Sequence, residues 1–143
     1  MKKILTFGVY DMMHLGHIML FKNAKELYQE DCQLIVAVQD AEYILKYKPD
    51  TKMVYTMEER LFMVNSVKYV DKVVVYKNVD EDIKNIEFDI FAKGPDQIHD
   101  GFKRAEQWCR ENGKEVKIIP RTEGISSTML RDYIDSDLLQ EHI

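Results

Sequence analysis

The sequence predicts an α/β fold in which a central parallel sheet lies between two layers of helices. Three observations carry that expectation. Short apolar runs rich in Val, Ile and Leu recur along the chain and stop at glycine, proline or charged residues. Between them stand segments whose apolar residues return at helical spacing. The length, 143 residues, suits one domain with a sizeable core and is short for two.

Each element follows in order. "KKILTF" (residues 2–7) reads as a buried strand stopped by Gly8. Over residues 15–30, Leu20, Ala24, Leu27 and Tyr28 fall on one helical face. "CQLIVAV" (32–38) is a second strand, rich in β-branched residues. The stretch 39–56 carries Pro49 and mixed charges, and predicts a long, partly helical connection. Thr56 and Glu59 then form a capping box at the head of a helix running to about Val67. "DKVVVY" (71–76) gives a third strand and "FDIFAK" (88–93) a fourth, stopped by Gly94 and Pro95. Phe102, Ala105, Trp108 and Cys109 share one face of a helix that Gly113 closes. "EVKIIP" (115–120) is a fifth strand, followed by a polar loop and a last helix from about Ser127.

Crossovers between parallel strands are nearly always right-handed. The chain is therefore expected to wind as a single Rossmann-like three-layer α/β/α domain spanning residues 1–143. Ligands of such sheets bind at the carboxyl ends of the strands, near the reversal of strand order. Three loops leave those ends, at residues 8–17, 93–101 and 121–128.

Composition narrows the function. A formal charge of −5 speaks against broad binding of nucleic acid, which needs a basic face. Cys32 and Cys109 form no CxxC pattern and read as reduced core thiols. No apolar run approaches the roughly 20 residues of a membrane span. The start, "MKKILTFGVYD", is broken by Thr6, Gly8 and Asp11, so it does not read as a signal peptide. The expected compartment is the cytoplasm.

"HLGH" places His14 and His17 at the mouth of the first helix, with Gly16 between them. A catalytic zinc site wants three protein ligands, and no clear third lies near in sequence. The spacing is also not that of HExxH. A strand, a glycine turn and a helix N-terminus together favour an anion, because backbone N–H groups and the helix dipole face outward there. Gly16 permits close approach, and two imidazoles add donors on the same side. Phosphate binding is the expectation, although no Walker A loop or GxGxxG is present.

"HLGH" resembles the HxGH signature of the nucleotidyltransferase superfamily, and "RTEGISST" (121–128) resembles the RTEGIST motif of its cytidylyltransferase branch. The segments "FGVYDMMHLGH", "EERLFMVNSVKYVDKVV" and "IIPRTEGISST" extend the likeness over most of the chain. Within that branch the sequence is most similar to the enzymes acting on glycerol 3-phosphate, with the choline- and ethanolamine-phosphate enzymes as near relatives. The resemblance implies transfer of CMP from CTP to a small phosphorylated alcohol, glycerol 3-phosphate first, giving a CDP-alcohol and pyrophosphate. It implies Mg²⁺ or another divalent cation, and a homodimer paired through "RLFMVNSVKYVDKVVV", a segment that by itself shows only an amphipathic helix.

The same resemblance distributes roles. His14 and His17 bind the triphosphate and stabilise the pentavalent phosphorus, and Gly8, Val9, Tyr10, Leu15 and Gly16 lie along the nucleotide. Asp11 supports the loop, or is simply a turn-forming residue. Lys46 and Lys48 match lysines on the acceptor phosphate and on the CTP phosphates, with Lys52 a competitor for either role. Arg121 is catalytic, its planar fork suiting phosphate oxygens. Thr122, Glu123, Gly124, Ile125, Ser126, Ser127 and Thr128 complete the nucleotide contacts, the hydroxyls forming a second anion cradle. Lys68 stands where the family commonly has arginine, keeping the charge on the acceptor side but losing bidentate reach. "KGPDQIHDGF" replaces the family's glycine-aspartate stretch and brings Asp96 and Gln97 near the base or the acceptor. His99 and His142 carry no motif support. Two rival readings are an adenylyltransferase of the same fold, against which "RTEGISST" speaks, and a nucleotide-binding protein without turnover.

Overall fold

Strand β1 (Lys2–Gly8) turns alternate side chains toward two apolar layers, and the rest of the fold is arranged around it. Leu5 and Phe7 pack with Phe88, Phe91 and Phe102 on one side, while Ile4 packs with Phe21 and Ala24 on the other. The computed structural model describes residues 1–28 and 31–120. Five parallel strands are ordered β3 (Lys72–Tyr76), β2 (Cys32–Gln39), β1, β4 (Ile90–Lys93) and β5 (Glu115–Ile118). Gly8 stands opposite Val38, and Gln39 opposite Tyr76, so these three strands end level with one another. The chain runs outward from β1 to β3, then returns to the other side of β1 for β4. The reversal between β1 and β4 is where such a sheet opens a crevice.

Helices α1 (Leu15–Lys25) and α3 (Met57–Asn65) cover one face, through Phe21, Ala24 and Val64. The other face is covered by α4 (Val79–Asp82) and α5 (Asp100–Glu111), through Val79, Phe102, Ala105 and Cys109. This is the expected three-layer α/β/α arrangement. The Thr56–Glu59 capping box is present in both directions, at 3.1 Å and 2.9 Å. Gly113 ends α5 at φ 71°, a conformation that only glycine adopts without cost.

Several boundaries differ from the sequence reading. The first helix ends at Lys25 and not near Glu30, because Glu26 and Leu27 tighten into a last turn by donating to Lys22 and Ala24 carbonyls. The connection 39–56 is partly helical as expected: α2 (Ala41–Tyr47) forms because the Asp40 carboxylate accepts the N–H groups of Glu42 and Tyr43 at 2.8 and 3.1 Å. The pair formed by α4 and the 3₁₀ turn Ile83–Asn85 was not legible from apolar periodicity. It is seven residues long, and its single acidic run hides the buried Val79 and Ile83. The helix expected from Ser127 lies outside the described residues. Among the described residues no helix is long and apolar enough to cross a membrane.

Candidate active site

The first helix begins on a histidine that caps it. His14 has extended backbone angles, and its Nδ1 accepts the Gly16 N–H at 3.0 Å. The His17 Nδ1 accepts the His14 N–H at 3.1 Å, so the two imidazoles form a reciprocal capping box. Their rings lie 4.0 Å apart between centroids, tilted by 31°.

This corrects one expectation. Three N–H groups at the helix start do not stand open toward an anion: those of His14 and Gly16 are taken by imidazole nitrogens, and that of His17 by the His14 carbonyl at 3.0 Å. The reason is geometric, since a ring nitrogen two or three residues from an N–H reaches it as a serine hydroxyl would. Because each Nδ1 is an acceptor, each neutral ring carries its proton on Nε2. Of the two kinds of donor expected here, the imidazole N–H groups remain, while the Gly16 and His17 backbone N–H groups are engaged within the cap.

Burial, and secondarily the neighbouring His14, pushes the His17 pKa down to about 4. His17 is neutral at pH 7. Charging it requires a proton on Nδ1 and breaks the bond from the His14 N–H. Between about pH 4 and 6.5 the unfolded chain binds a proton that the folded chain does not, so stability rises with pH in that window. This contribution is complete above pH 6.5 and is lost as pH falls toward about 4. The wild-type melting temperature is expected to fall more steeply over that range than that of His17→Asn. Parallel curves would show that His17 titrates freely.

The loop before α1 is held from below. Tyr10 has φ 56°, an uncommon angle for a non-glycine residue, and folds its buried ring beneath Gly8. A Cβ on Gly8 would lie 2.5 Å from Tyr10 Cζ. The ring cannot retreat, being packed on His17 and Phe21 at 5.3 and 5.4 Å. Gly8→Ala is expected to cost about 1–3 kcal/mol through overpacking, read by denaturant titration, with activity lost beyond the unfolded fraction. Wild-type stability and turnover would contradict this placement.

Two further residues fix the same loop. Asp11 is buried, and its carboxylate accepts the N–H groups of Val54 and Tyr55 at 2.8 and 2.9 Å, tying the loop to the entrance of α3. Arg60 is fully buried on α3; its Nη1 donates to the Val9 carbonyl at 2.7 Å and its Nη2 meets Met57 Sδ at 3.0 Å. Burial lowers its pKa, while Asp11 and Asp40 oppose that shift. The sequence reading gave Arg60 no role. Its signal was available: position 60 lies one turn before Val64, on the buried stripe of its helix.

From the other side, Gln97 bridges β1 to the loop after β4. Its Nε2 donates to the Phe7 carbonyl at 2.7 Å, and its Oε1 accepts the Gly94 N–H at 3.1 Å. The Lys93 ammonium holds the Gln97 carbonyl at 3.3 Å and pairs with Glu106 at 2.8 Å, almost out of solvent.

Two pockets open at these strand ends. One, of about 320 Å³, is lined by Gly8, Val9, Tyr10, Asp11, His17 and Gln97 among others. The second, of about 470 Å³, shares Gly8, Val9 and Gln97 and extends toward Lys48, Lys77 and Arg104. Of the residues singled out in the sequence, Gly8, Val9, Tyr10 and His17 line the first pocket, while His14 and Gly16 form the cap at the head of α1. Leu15 is 55% exposed at the helix head. Lys48 lies on the second pocket, while the Lys46 ammonium rests over the Tyr47 ring, 5.7 Å from its centroid. Lys68 precedes β3, at the opposite end of that strand from both pockets, with its ammonium over Tyr69. Arg121, Thr122, Glu123, Gly124, Ile125, Ser126, Ser127 and Thr128 lie outside the described residues. Among the described residues no three His, Cys, Asp or Glu side chains gather to hold a metal ion.

The cytidylyltransferase-like family matches residues 5–133. A glycerol-3-phosphate cytidylyltransferase of Bacillus subtilis (strain 168) is 34% identical over 137 residues, covering 94% of this chain and 98% of that one. An FAD synthase of Aciduliprofundum boonei is 32% identical over 140 residues, 96% of this chain and 84% of its own length. In structure, a lipopolysaccharide core biosynthesis protein of Thermoplasma volcanium superposes with a TM-score of 0.66 at 24% identity, over 85% of this chain and 97% of that one, which establishes the fold. With its sheet order, its paired histidines and these relatives, the chain belongs to the cytidylyltransferase-like family and is a nucleotidyltransferase.

Proposed function

We propose that the protein transfers CMP from CTP to a small phosphorylated alcohol, glycerol 3-phosphate first, releasing pyrophosphate. The observation that supports this most is the His14–His17 pair at the head of α1, with His17 on the wall of the first of two pockets that share Gly8, Val9 and Gln97. Likeness to glycerol-3-phosphate cytidylyltransferase along nearly the whole of both chains supports the choice of substrates.

An oxygen of the acceptor phosphate attacks the α-phosphorus of CTP; the new O–P bond forms as the bond to the bridging oxygen of pyrophosphate breaks. The attacking oxygen is already anionic, so no general base is required. The difficulty is bringing two polyanions together, which calls for positioning and for donors aimed at the charge that grows on the phosphoryl oxygens. The two imidazoles supply such donors. Arg121 and residues 122–128 are proposed as further nucleotide contacts, and Lys46 and Lys48 as cations for the phosphates. Mg²⁺ or another divalent cation is proposed as the cofactor; when bound it would neutralise charge on the phosphates. The reading includes the cytoplasm as compartment and a homodimer, which the 74% exposed Phe62 on α3 favours.

The test is pyrophosphate release with CTP or ATP against a panel of alcohol phosphates. Release with CTP and glycerol 3-phosphate, abolished by chelation, is expected. Release with ATP alone, or none with any acceptor, would refute the reading.

A further inference from the structure

We propose that Lys93 is a positioning residue for the transfer step: paired with Glu106 on α5, it seats the turn that carries Gln97 and, through Gln97, the end of β1 where the two pockets meet. This rests on the transfer reading above.

Lys93 is the last residue of β4 and is 5% exposed, although lysine seldom leaves water without a partner. Its partner is Glu106, whose Oε2 lies 2.8 Å from the ammonium and whose Oε1 accepts from Arg110 at 2.5 Å. The Lys93 bond first, and Arg110 after it, hold the Glu106 carboxyl below the usual carboxylate range against the effect of burial. The carboxylate is therefore charged at pH 7. Desolvation offsets much of the attraction in such a pair, and apolar side chains of similar volume are often as stable in its place. Stability alone leaves the pair unexplained. Neither Lys93 nor Glu106 lines either pocket, so the ammonium does not touch what they bind.

Its second contact supplies the reason. The ammonium also donates to the Gln97 carbonyl at 3.3 Å. Between these two residues the chain reverses over residues 94–97, closed by the Gln97 N–H on the Gly94 carbonyl at 3.2 Å. The Gly94 N–H returns to Gln97 Oε1 at 3.1 Å, and Nε2 is aimed at the Phe7 carbonyl, 2.7 Å away. Phe7 leads directly into Gly8 and Val9, which with Gln97 line both pockets.

The Lys93 backbone is itself fixed in the sheet, its carbonyl taking the Ile119 N–H at 2.8 Å. Strand and α5 thus aim one ammonium, and the ammonium sets the height of the turn over β1. Without it the turn keeps its internal bonds and its hold on Phe7. It loses its seat on α5, however, and is free to draw the end of β1 with it.

The experiment separates seating from stability. In Lys93→Met combined with Glu106→Met, apolar side chains replace the pair, and the melting temperature is expected close to wild type. With CTP and glycerol 3-phosphate, kcat should fall by about 10–10²-fold, and KM for either substrate should change less. The loss should also depend on Gln97. In a Gln97→Ala background, which already lacks the bond to Phe7, removing the pair should lower kcat by less than about twofold. Glu106→Gln keeps the shape, so the test does not hang on one repacked core. It should lose about threefold to tenfold, again only where Gln97 is present. Wild-type kcat in either folded variant, or losses that multiply in the Gln97→Ala background, would overturn the assignment. Amide hydrogen exchange at Gly94 and Gln97 reads the seat without substrate, and exchange no faster in the variants overturns it equally. If wild type turns over and the variants match it, only the role of Lys93 falls. If wild type releases no pyrophosphate with any acceptor, the transfer reading falls and takes this proposal with it.

Discussion

His14→Asn is expected to leave the protein folded and to lower kcat by about 10²–10³. Asparagine is among the best N-cap residues, so its Oδ1 can accept the Gly16 N–H as the imidazole does. It carries no N–H at the reach of Nε2. The substitution thus removes the donor while preserving the cap, and separates the two functions that the sequence allowed as alternatives. His14→Ala removes both, and is expected to add a loss of about 1 kcal/mol in stability to the same loss in rate. Because the donor acts on charge that grows in the transition state, CTP affinity should change less than kcat. Thermal melts, CTP titration and steady-state rates on both variants decide the matter. A folded His14→Asn enzyme with wild-type kcat would reduce the pair to a helix cap.

The largest stability effect is expected at Arg60. Truncation to alanine empties the space of a long, fully buried side chain and strips the Val9 carbonyl of its partner. Together these should cost about 3–5 kcal/mol. Arg60→Met is the more informative variant. It keeps most of the apolar volume and leaves one carbonyl unpaired, at a cost of about 1–3 kcal/mol. Its protein should fold yet be slow, because Val9 lies on the wall common to both pockets; a displacement near 1 Å there costs about 10²-fold. Arg60→Lys preserves charge and loses the fork that reaches Val9 and Met57 at once. Denaturant titrations and kcat on the three variants give the test, and an Arg60→Met enzyme unaltered in both would remove Arg60 from the site.

The pattern of apolar runs carried the sheet, because β1, β2 and β4 are buried on both faces and leave continuous hydrophobic stretches. What escaped it was set by single polar contacts. The short α4 is dominated by carboxylates, and α1 stops where two backbone bonds tighten. At the site, "HLGH" was readable because its histidines, three residues apart, come together at one helix start. Arg60 and Gln97 act on Val9 and Phe7 from 51 and 90 residues away, through hydrogen bonds that no local spacing records. The sequence alone did not locate Lys48, which lines the second pocket, since a loop lysine's position depends on where α2 ends.

The dipeptide Gly8–Val9 is a septum anchored at both edges: Gln97 grips the carbonyl just before it, and Arg60 the carbonyl at its end. The wall between the two pockets is thus held through main chain, while the outer walls of the second are surface side chains such as Lys48 and Lys77. Alignment and taste are thereby uncoupled. Rewriting those exposed positions is expected to change what the second pocket accepts and to leave the septum where its two anchors hold it.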